Sequence, residues 1–226
     1  MHRYAKVVLA AAVAGLTVLA GTPAHASGGS VNAVDVLTVN ALAGPNVAVN
    51  DVLQASLKAG TKVTFMSTPG GTTGVTCTVS TFSAKVLTNP GAGGTATESL
   101  TVQTFSTCTA NVPGVTCVSS VTVDNLPYGA TVNGTTKAVT ITGTTAKPIQ
   151  TTVKLCTLLG TITCVYQADL NTVTGTASNT DNSITFTNQK FNKTMGPSTC
   201  FPNGYFSAVY APVLDTTQAN GKVFTQ

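Results

Sequence analysis

Two stretches of the chain decide the fold. Residues 75–87 read VTCTVSTFSAKVL and residues 97–109 read TESLTVQTFSTCT, so both carry β-branched residues at alternating positions. The segment between them, Asn89–Gly94, contains one proline and three glycines and is typical of a flexible loop. This pattern predicts two antiparallel strands that form a hairpin.

The cysteines of this predicted hairpin lie at its outer ends. Antiparallel pairing would bring Cys77 and Cys108 together, and we expect them to form a disulfide. The apolar residues of the first strand change parity after Val79, which predicts a β-bulge or a bend. In the second strand, Leu100 and Cys108 are expected to share one face with Val102 and the other residues at even positions.

Short segments rich in Thr and Val continue to residue 225, separated by turns about every eight to twelve residues, a spacing typical of a sandwich or a barrel. They include a hairpin at Asn133-Gly134 and a loop over Lys190–Pro202. We predict about twelve to fourteen antiparallel strands, since no segment offers a crossover helix. The predicted fold class is all-β: one disulfide-linked antiparallel β-sandwich over residues 34–226, immunoglobulin-like or jelly-roll-like. Two tandem halves with a boundary near residues 144–148 remain the alternative.

The first residues have the order of a secretory signal peptide. Met1–Lys6 is basic, Val7–Ala20 is apolar, and Ala24-His25-Ala26 places small residues at a cleavage site. The apolar run of about fourteen residues is shorter than the roughly twenty that span a bilayer. We predict a signal peptide over residues 1–26, a flexible segment over residues 27–33, and secretion of a chain without a transmembrane segment.

An even number of cysteines in an exported chain indicates disulfides. The six cysteines allow fifteen pairings, and we favour the three that join neighbouring strand-like segments. The expected pairs are Cys77–Cys108, Cys117–Cys156 and Cys164–Cys200.

Loss of the signal peptide would remove both histidines, His2 and His25, together with Arg3, the only arginine. The remaining chain would carry nine lysines against seven acidic residues, a net charge of +2 with no basic run. We therefore expect no nucleic-acid partner. No metal site and no cofactor are expected, since no Cys-x-x-Cys motif and no histidine would remain.

Catalytic residues are not expected, and we predict that the protein is not an enzyme. Without histidine, a Ser-His-Asp or Cys-His site lacks its base, which leaves Ser83 with Lys85 as the nucleophile–base pair to consider. Asp215-Thr216-Thr217 lacks the glycine of an aspartic-protease motif, and Asn179–Asn182 has too little charge for tight calcium binding. The carboxylates available for paired acid–base chemistry are Asp35, Asp51, Glu98, Asp124, Asp169, Asp181 and Asp215.

Large aromatic side chains concentrate near the C-terminus, where they can either fill a core or line a groove. Alternation places Tyr205 on one face of a strand and Phe206 with Tyr210 on the other, while Phe201 lies in a loop beside Cys200. We predict ligand-binding residues at Phe201, Tyr205, Phe206 and Tyr210.

Three segments, LCTLLGT (155–161), TGTASNTDNS (174–183) and NGYFSA (203–208), resemble a group of exported actinobacterial proteins, chiefly of Streptomyces. Those proteins are often labelled Tat-signal-domain or secreted proteins. The resemblance covers most of the chain after residue 26 and implies an extracellular β fold without naming site residues. The chain departs from the label because Arg3 has no arginine neighbour. A looser likeness, in composition and fold class alone, connects the chain with neocarzinostatin-like carriers.

These features predict a secreted, non-enzymatic β protein with an extracellular interaction or structural role. The alternative is a small-molecule carrier or a glycan-binding module. The expected partner is accordingly an extracellular protein, a glycan or a small molecule.

Overall fold

The computed structural model of the chain describes residues 33–226, which fold into fifteen β-strands and one 3₁₀ turn (Asp169–Asn171). The predicted signal peptide over residues 1–26, and nearly all of the predicted flexible segment over residues 27–33, lie outside the described residues. The strands are β1 (Leu37–Val39), β2 (Val52–Ser56), β3 (Val63–Met66), β4 (Gly74–Thr88), β5 (Thr95–Asn111), β6 (Val115–Asp124), β7 (Tyr128–Asn133), β8 (Ala138–Thr142), β9 (Gln150–Thr157), β10 (Gly160–Ala168), β11 (Thr172–Ser178), β12 (Ser183–Met195), β13 (Asn203–Tyr210), β14 (Leu214–Asp215) and β15 (Gly221–Thr225).

Eight of these strands close into a ring. The hydrogen-bonded order is β4-β3-β13-β12-β10-β9-β6-β5, and β5 pairs back with β4. Every pairing in the ring is antiparallel. The all-β, antiparallel and disulfide-linked class is therefore confirmed. The predicted sandwich is corrected to a closed eight-stranded antiparallel barrel with additional strands, because β4 and β5 join what would otherwise be two open sheets.

Two long strands change neighbours midway and so carry a second layer. Along β5, Thr95–Leu100 pair with β7, whereas Thr104 pairs with β6. Along β12, Ser183–Phe186 pair with β11, whereas Phe191–Met195 pair with β10. The strands β7, β8 and β11 thus bridge β5 to β12. On the other side of β4, the extension β2-β14-β15-β1 continues the sheet.

The hairpin predicted from residues 75–87 and 97–109 is present as β4 and β5, with Cys77 opposite Cys108. Disulfides join all three expected pairs: Cys77–Cys108, Cys117–Cys156 and Cys164–Cys200. Three such bonds are typical of an oxidising, non-cytoplasmic environment.

The predicted facing of β5 is wrong beyond Leu100. Leu100 is buried, but Val102 is 42% exposed, and the residues that turn inward are Gln103 and Phe105. The register shifts between Ser83 and Ala84 on β4, which changes the parity of the facing side chains on β5.

Two further predictions about local structure have different outcomes. The hairpin at Asn133-Gly134 exists between β7 and β8, with the Asn133 carboxamide oxygen accepting the Thr136 amide hydrogen at 2.8 Å. The predicted loop over Lys190–Pro202 is wrong for its first half, since β12 continues to Met195 and pairs there with β10. The alternative of two tandem halves places a boundary near residues 144–148. Pairings of β6 with β9 and of β8 with β11 join strands on the two sides of that region.

Candidate ligand-binding cavity

The barrel interior contains a cavity of about 90 Å³. Its walls come from most strands of the ring and from β7, β8 and β11, which close it on one side. Most of its lining side chains are apolar, and they include Val63, Val75, Phe105, Val121, Val153 and Phe206. Inward-facing β-branched and aromatic residues on alternating strand positions therefore build an apolar chamber.

The ring has its fewest backbone pairings at the boundary between β5 and β6, which we call the seam. These two strands pair only at Thr104 and Thr122. Of the side chains that face the chamber, Phe105 of β5 and Val121 of β6 are half-buried, whereas Val75 of β4 is buried. The seam is consequently the least paired joint of the ring and the candidate entrance to the chamber.

Two disulfides lie on either side of the seam, and neither crosses it. Cys77–Cys108 ties β5 to β4, and Cys117–Cys156 ties β6 to β9. Each strand of the seam is thus fastened to its outer neighbour. The little-paired seam therefore lies between two pairs of strands that are each linked by a disulfide.

A polar cluster lies at one end of the chamber. The Gln103 carboxamide nitrogen donates to Ser80 Oγ and to Tyr210 Oη, each at 2.9 Å, and the two hydroxyls hydrogen-bond to each other at 2.8 Å. Burial raises the pKa of Tyr210 to about 12, although the hydrogen bonds with Ser80 and Gln103 partly oppose the shift. The Tyr210 hydroxyl is therefore neutral and serves to position Gln103.

Gln103 Oε1 has no protein partner within residues 33–226, and Gln103 lines the chamber. The other amide in the lining is engaged, since Gln150 Nε2 donates to Asp124 Oδ2 at 3.0 Å and Gln150 Oε1 accepts from Gln167 at 3.0 Å. The chamber accordingly offers apolar walls and one carboxamide, that of Gln103, whose nitrogen is held by Ser80 and Tyr210, a combination typical of small-molecule sites.

The four residues predicted to bind a ligand do not lie in one place in the structure. Phe206 lines the chamber, and Tyr210 contacts the lining residue Gln103. Phe201 packs on Phe65 and Tyr166, with ring centroids 5.7 and 5.2 Å away. Tyr205 points to the opposite face of β13 from Phe206. Phe201 and Tyr205 are thus not among the chamber's lining residues.

Sequence reasoning missed Ser80 and Gln103, the polar members of the site. Ser80 is 1% exposed although its neighbour Val79 is 49% exposed. The signal in the sequence is the change of parity after Val79. It applies to the polar residues of β4 as well as to the apolar ones, and so it turns Ser80 inward.

Two aspartates from the list of carboxylates lie together. Asp215 is fully buried and Asp51 is 6% exposed. Burial raises the pKa of Asp215 and the neighbouring Asp51 carboxyl adds to the shift, whereas the amide hydrogen bonds from Gln218 and Thr217 oppose it. Asp215 Oδ1 accepts the amide hydrogens of Thr217 and Gln218 at 2.9 and 3.1 Å. The pair is sealed from solvent and so cannot reach a substrate.

The nucleophile–base pair considered from the sequence is not assembled in a cleft. Ser83 is buried and accepts a hydrogen bond from Gln54 Nε2 at 3.2 Å, whereas Lys85 is exposed. Within residues 33–226, no group of three or more His, Cys, Asp or Glu side chains is placed to hold a metal ion. In the same residues, no helix has the length and hydrophobicity needed to cross a membrane.

Comparison with known proteins gives no assignment: no family model, curated protein or solved structure matches the chain.

Proposed function

We propose that this chain is an exported, non-enzymatic protein that carries a small, largely apolar molecule in the chamber. The observation that supports the proposal is the apolar interior cavity of about 90 Å³ with the oriented Gln103 carboxamide in its lining. Burial of apolar ligand surface is the driving force, and Gln103 Oε1 selects ligands that carry a hydroxyl or an N–H group.

The volume of the chamber limits the size of its ligand. A single buried water needs roughly 10–15 Å³ by the same measure, so the chamber takes several waters or one compact ring. A cavity with such walls favours an apolar occupant, because water gains few hydrogen bonds there. The ligand class is therefore a single-ring or short branched molecule.

A glycan-binding role has less support from the surface. Glycan sites commonly use exposed aromatic platforms, but none of the Phe and Tyr side chains in residues 33–226 is exposed. An enzymatic role has less support because residues 27–226 contain no histidine or arginine.

Export is proposed from the signal-like residues 1–26 together with the three disulfides.

The test is binding of benzene to the disulfide-bonded chain, followed by NMR chemical shifts. Binding should perturb residues of the chamber, and Val121→Trp should abolish it by filling the space under the seam. The matched control is Val79→Trp, because Val79 is an exposed valine of β4 that does not line the chamber. This control should bind benzene as the unmodified chain does.

Two results would contradict the proposal. One is an unmodified chain whose chamber resonances do not respond to benzene. The other is equal binding by Val121→Trp and Val79→Trp. Native mass spectrometry of protein purified from its own host then identifies any retained natural ligand.

A further inference from the structure

A second cavity, of about 30 Å³, lies apart from the chamber, between the first half of β5 and the strands β11, β12 and β15. Its walls are mostly apolar and include Leu37, Leu53, Phe82 and Val139. Glu98, the only glutamate of the chain, also lines it.

The carboxyl group of Glu98 has no partner among residues 33–226. Its residue is 7% exposed, yet it forms no hydrogen bond within this part of the chain. The ion pairs found there join Lys58 with Asp181 and Lys190 with Asp169. A buried carboxylate without compensation costs several kcal/mol in real proteins, so this group calls for a ligand or a proton.

A second unpartnered acceptor lies in the lining of this cavity, which also includes the hydroxyl side chains of Ser178, Ser183 and Thr225. Asn182 is 6% exposed, and its Nδ2 donates to the Val223 carbonyl oxygen at 2.8 Å, which leaves Oδ1 unpartnered among the described residues. The nearby donor Asn179 Nδ2 is used by the Thr225 carbonyl oxygen at 2.8 Å. The cavity thus has two unpartnered hydrogen-bond acceptors, one of which is a carboxyl group. The side-chain amide groups of Asn179 and Asn182 donate to backbone carbonyl oxygens.

We propose that this cavity binds a small primary ammonium, with the ammonium ion or methylammonium as its ligand class, held by the carboxylate of Glu98 and by Asn182 Oδ1. An ammonium group has several N–H donors and one positive charge, so it satisfies both acceptors and neutralises the buried acid. The volume of about 30 Å³ corresponds to roughly two water positions, which matches the two heavy atoms of methylammonium.

The electrostatic surroundings agree with this assignment. Burial raises the pKa of Glu98 from 4.5 to about 7, so that an ammonium ligand competes with a proton for the same carboxylate. No other ionisable side chain lines the cavity. Lys137 approaches the lining residue Thr225, and its Nζ donates to the carbonyl oxygens of Thr225 and Gly134 at 2.8 and 2.6 Å. Lys137 is therefore committed to the backbone and not to Glu98.

Because Glu98 is the only glutamate, labelling with ¹³C-glutamate gives one carboxyl resonance that reports directly on the site. The titration is run on the disulfide-bonded chain in methylammonium chloride and in an equal concentration of tetramethylammonium chloride, which has no N–H donor. Methylammonium should lower the midpoint from near 7 towards the ordinary range of a glutamate, whereas tetramethylammonium should leave it unchanged. Equal midpoints in the two salts would overturn the proposal.

A second measurement uses variants and does not depend on the label. Above pH 7, methylammonium should raise the urea midpoint of the unmodified chain relative to tetramethylammonium. Glu98→Gln should lose this difference, and the control Asp169→Asn, which alters a partly exposed carboxyl away from this cavity, should keep it. A difference that survives in Glu98→Gln would overturn the proposal. If Glu98→Gln fails to fold, the carboxyl titration of the unmodified chain decides alone. Benzene binding in the chamber is a separate readout, so either proposal can fail without the other.

Discussion

The two halves of β5 share β4 on one edge and differ on the other. The first half, Thr95–Leu100, is fully paired with β7 and encloses Glu98 in a small, tight cavity. The second half pairs with β6 only at Thr104, and its inward side chains Gln103 and Phe105 line the larger chamber. One strand thus lines a small cavity beside a fully paired edge at one end and a larger cavity beside a little-paired edge at the other.

Different pairing along its two edges lets a single strand serve both stability and access. Pairing with β4 runs from Gly74 to Thr88 and holds both halves of β5 in place. The β6 edge is then free to remain loosely paired, because the adjacent disulfides supply the constraint that the missing ladder would have given. The predictions below change one edge of β5 or a buried group that one of its halves places inside the fold.

The largest effect is expected from removing the disulfide on the firm edge. Cys77→Ala with Cys108→Ala opens a loop whose ends are 31 residues apart, which costs about 3–4 kcal/mol in the loop-entropy model. Cys77 is also 2% exposed, so its truncation adds a packing loss. Urea unfolding under non-reducing conditions measures the change.

The matched variant is Cys117→Ala with Cys156→Ala on the other side of the seam. Its loop has a similar separation of 39 residues, but Cys117 is exposed, so no comparable packing loss follows. A larger destabilisation from this second variant would contradict the description of the β4–β5 edge as the firmer one.

The next largest effect concerns pH and Glu98 in ammonium-free buffer. The pKa of Glu98 is raised in the folded state from 4.5 to about 7, so the folded state binds the proton more tightly than the unfolded state. The contribution of Glu98 to the free energy of unfolding is therefore fully present below about pH 4.5. It is lost as the pH rises through about 7, and the total loss is about 3 kcal/mol.

Glu98→Gln should remove that part of the pH dependence, as followed by urea unfolding from pH 4 to pH 9. Asp215, whose pKa is also raised, is present in both chains, so the difference between their two curves isolates Glu98. Parallel curves over this range would show that Glu98 titrates at its ordinary value.

The hairpin and the disulfides could be predicted from the sequence because both depend on local pattern. Alternation and the glycine-rich loop determine that residues 75–87 and 97–109 pair, and pairing in turn places Cys77 beside Cys108. Thr and Val content likewise predicts strands regardless of how these are arranged.

Closure of the barrel could not be predicted, because it depends on pairings such as Phe65 with Phe206, between residues remote in sequence. The facing of side chains along β5 could not be predicted either, because it depends on a β-bulge. The register shift at Ser83 turns Gln103 inward and Val102 outward. Phe206, one of the four residues predicted to bind a ligand, lines the chamber, and its role in binding stays a prediction. The role of Gln103 depends on Tyr210, which no local pattern connects with it.

A smaller effect is expected from Tyr210→Phe. The variant leaves Ser80 Oγ and Gln103 Nε2 each without one partner in the buried cluster, which costs about 1–3 kcal/mol. Tyr205→Phe is the control, since Tyr205 faces away from the chamber and should change stability by less than about 0.5 kcal/mol. Equal urea midpoints for the two variants would argue against a structural role of the cluster.

The smallest effect is expected from tightening the seam. Thr104→Cys with Thr122→Cys places a disulfide across the single pair that joins β5 to β6, where both threonines are exposed. Benzene exchange, measured by NMR, should slow about tenfold, equivalent to about 1.4 kcal/mol in the barrier. Thr176→Cys with Thr185→Cys, a cross-strand pair of β11 and β12, is the control and should leave exchange unchanged. Unchanged exchange in the seam variant would place the entrance elsewhere.

The three disulfides also have a consequence for how the chain assembles in time. Their loops follow one another along the sequence without nesting or crossing, since 77–108 ends before 117–156 begins, and that loop ends before 164–200. A chain that emerges from its N-terminus, whether from a ribosome or a translocation pore, can therefore oxidise each pair as soon as the second cysteine appears. Early pairing leaves no cysteine waiting for a distant partner, and so mispaired intermediates have little opportunity to form. The barrel itself closes last, because β13, which completes the ring against β3, is among the last segments to emerge.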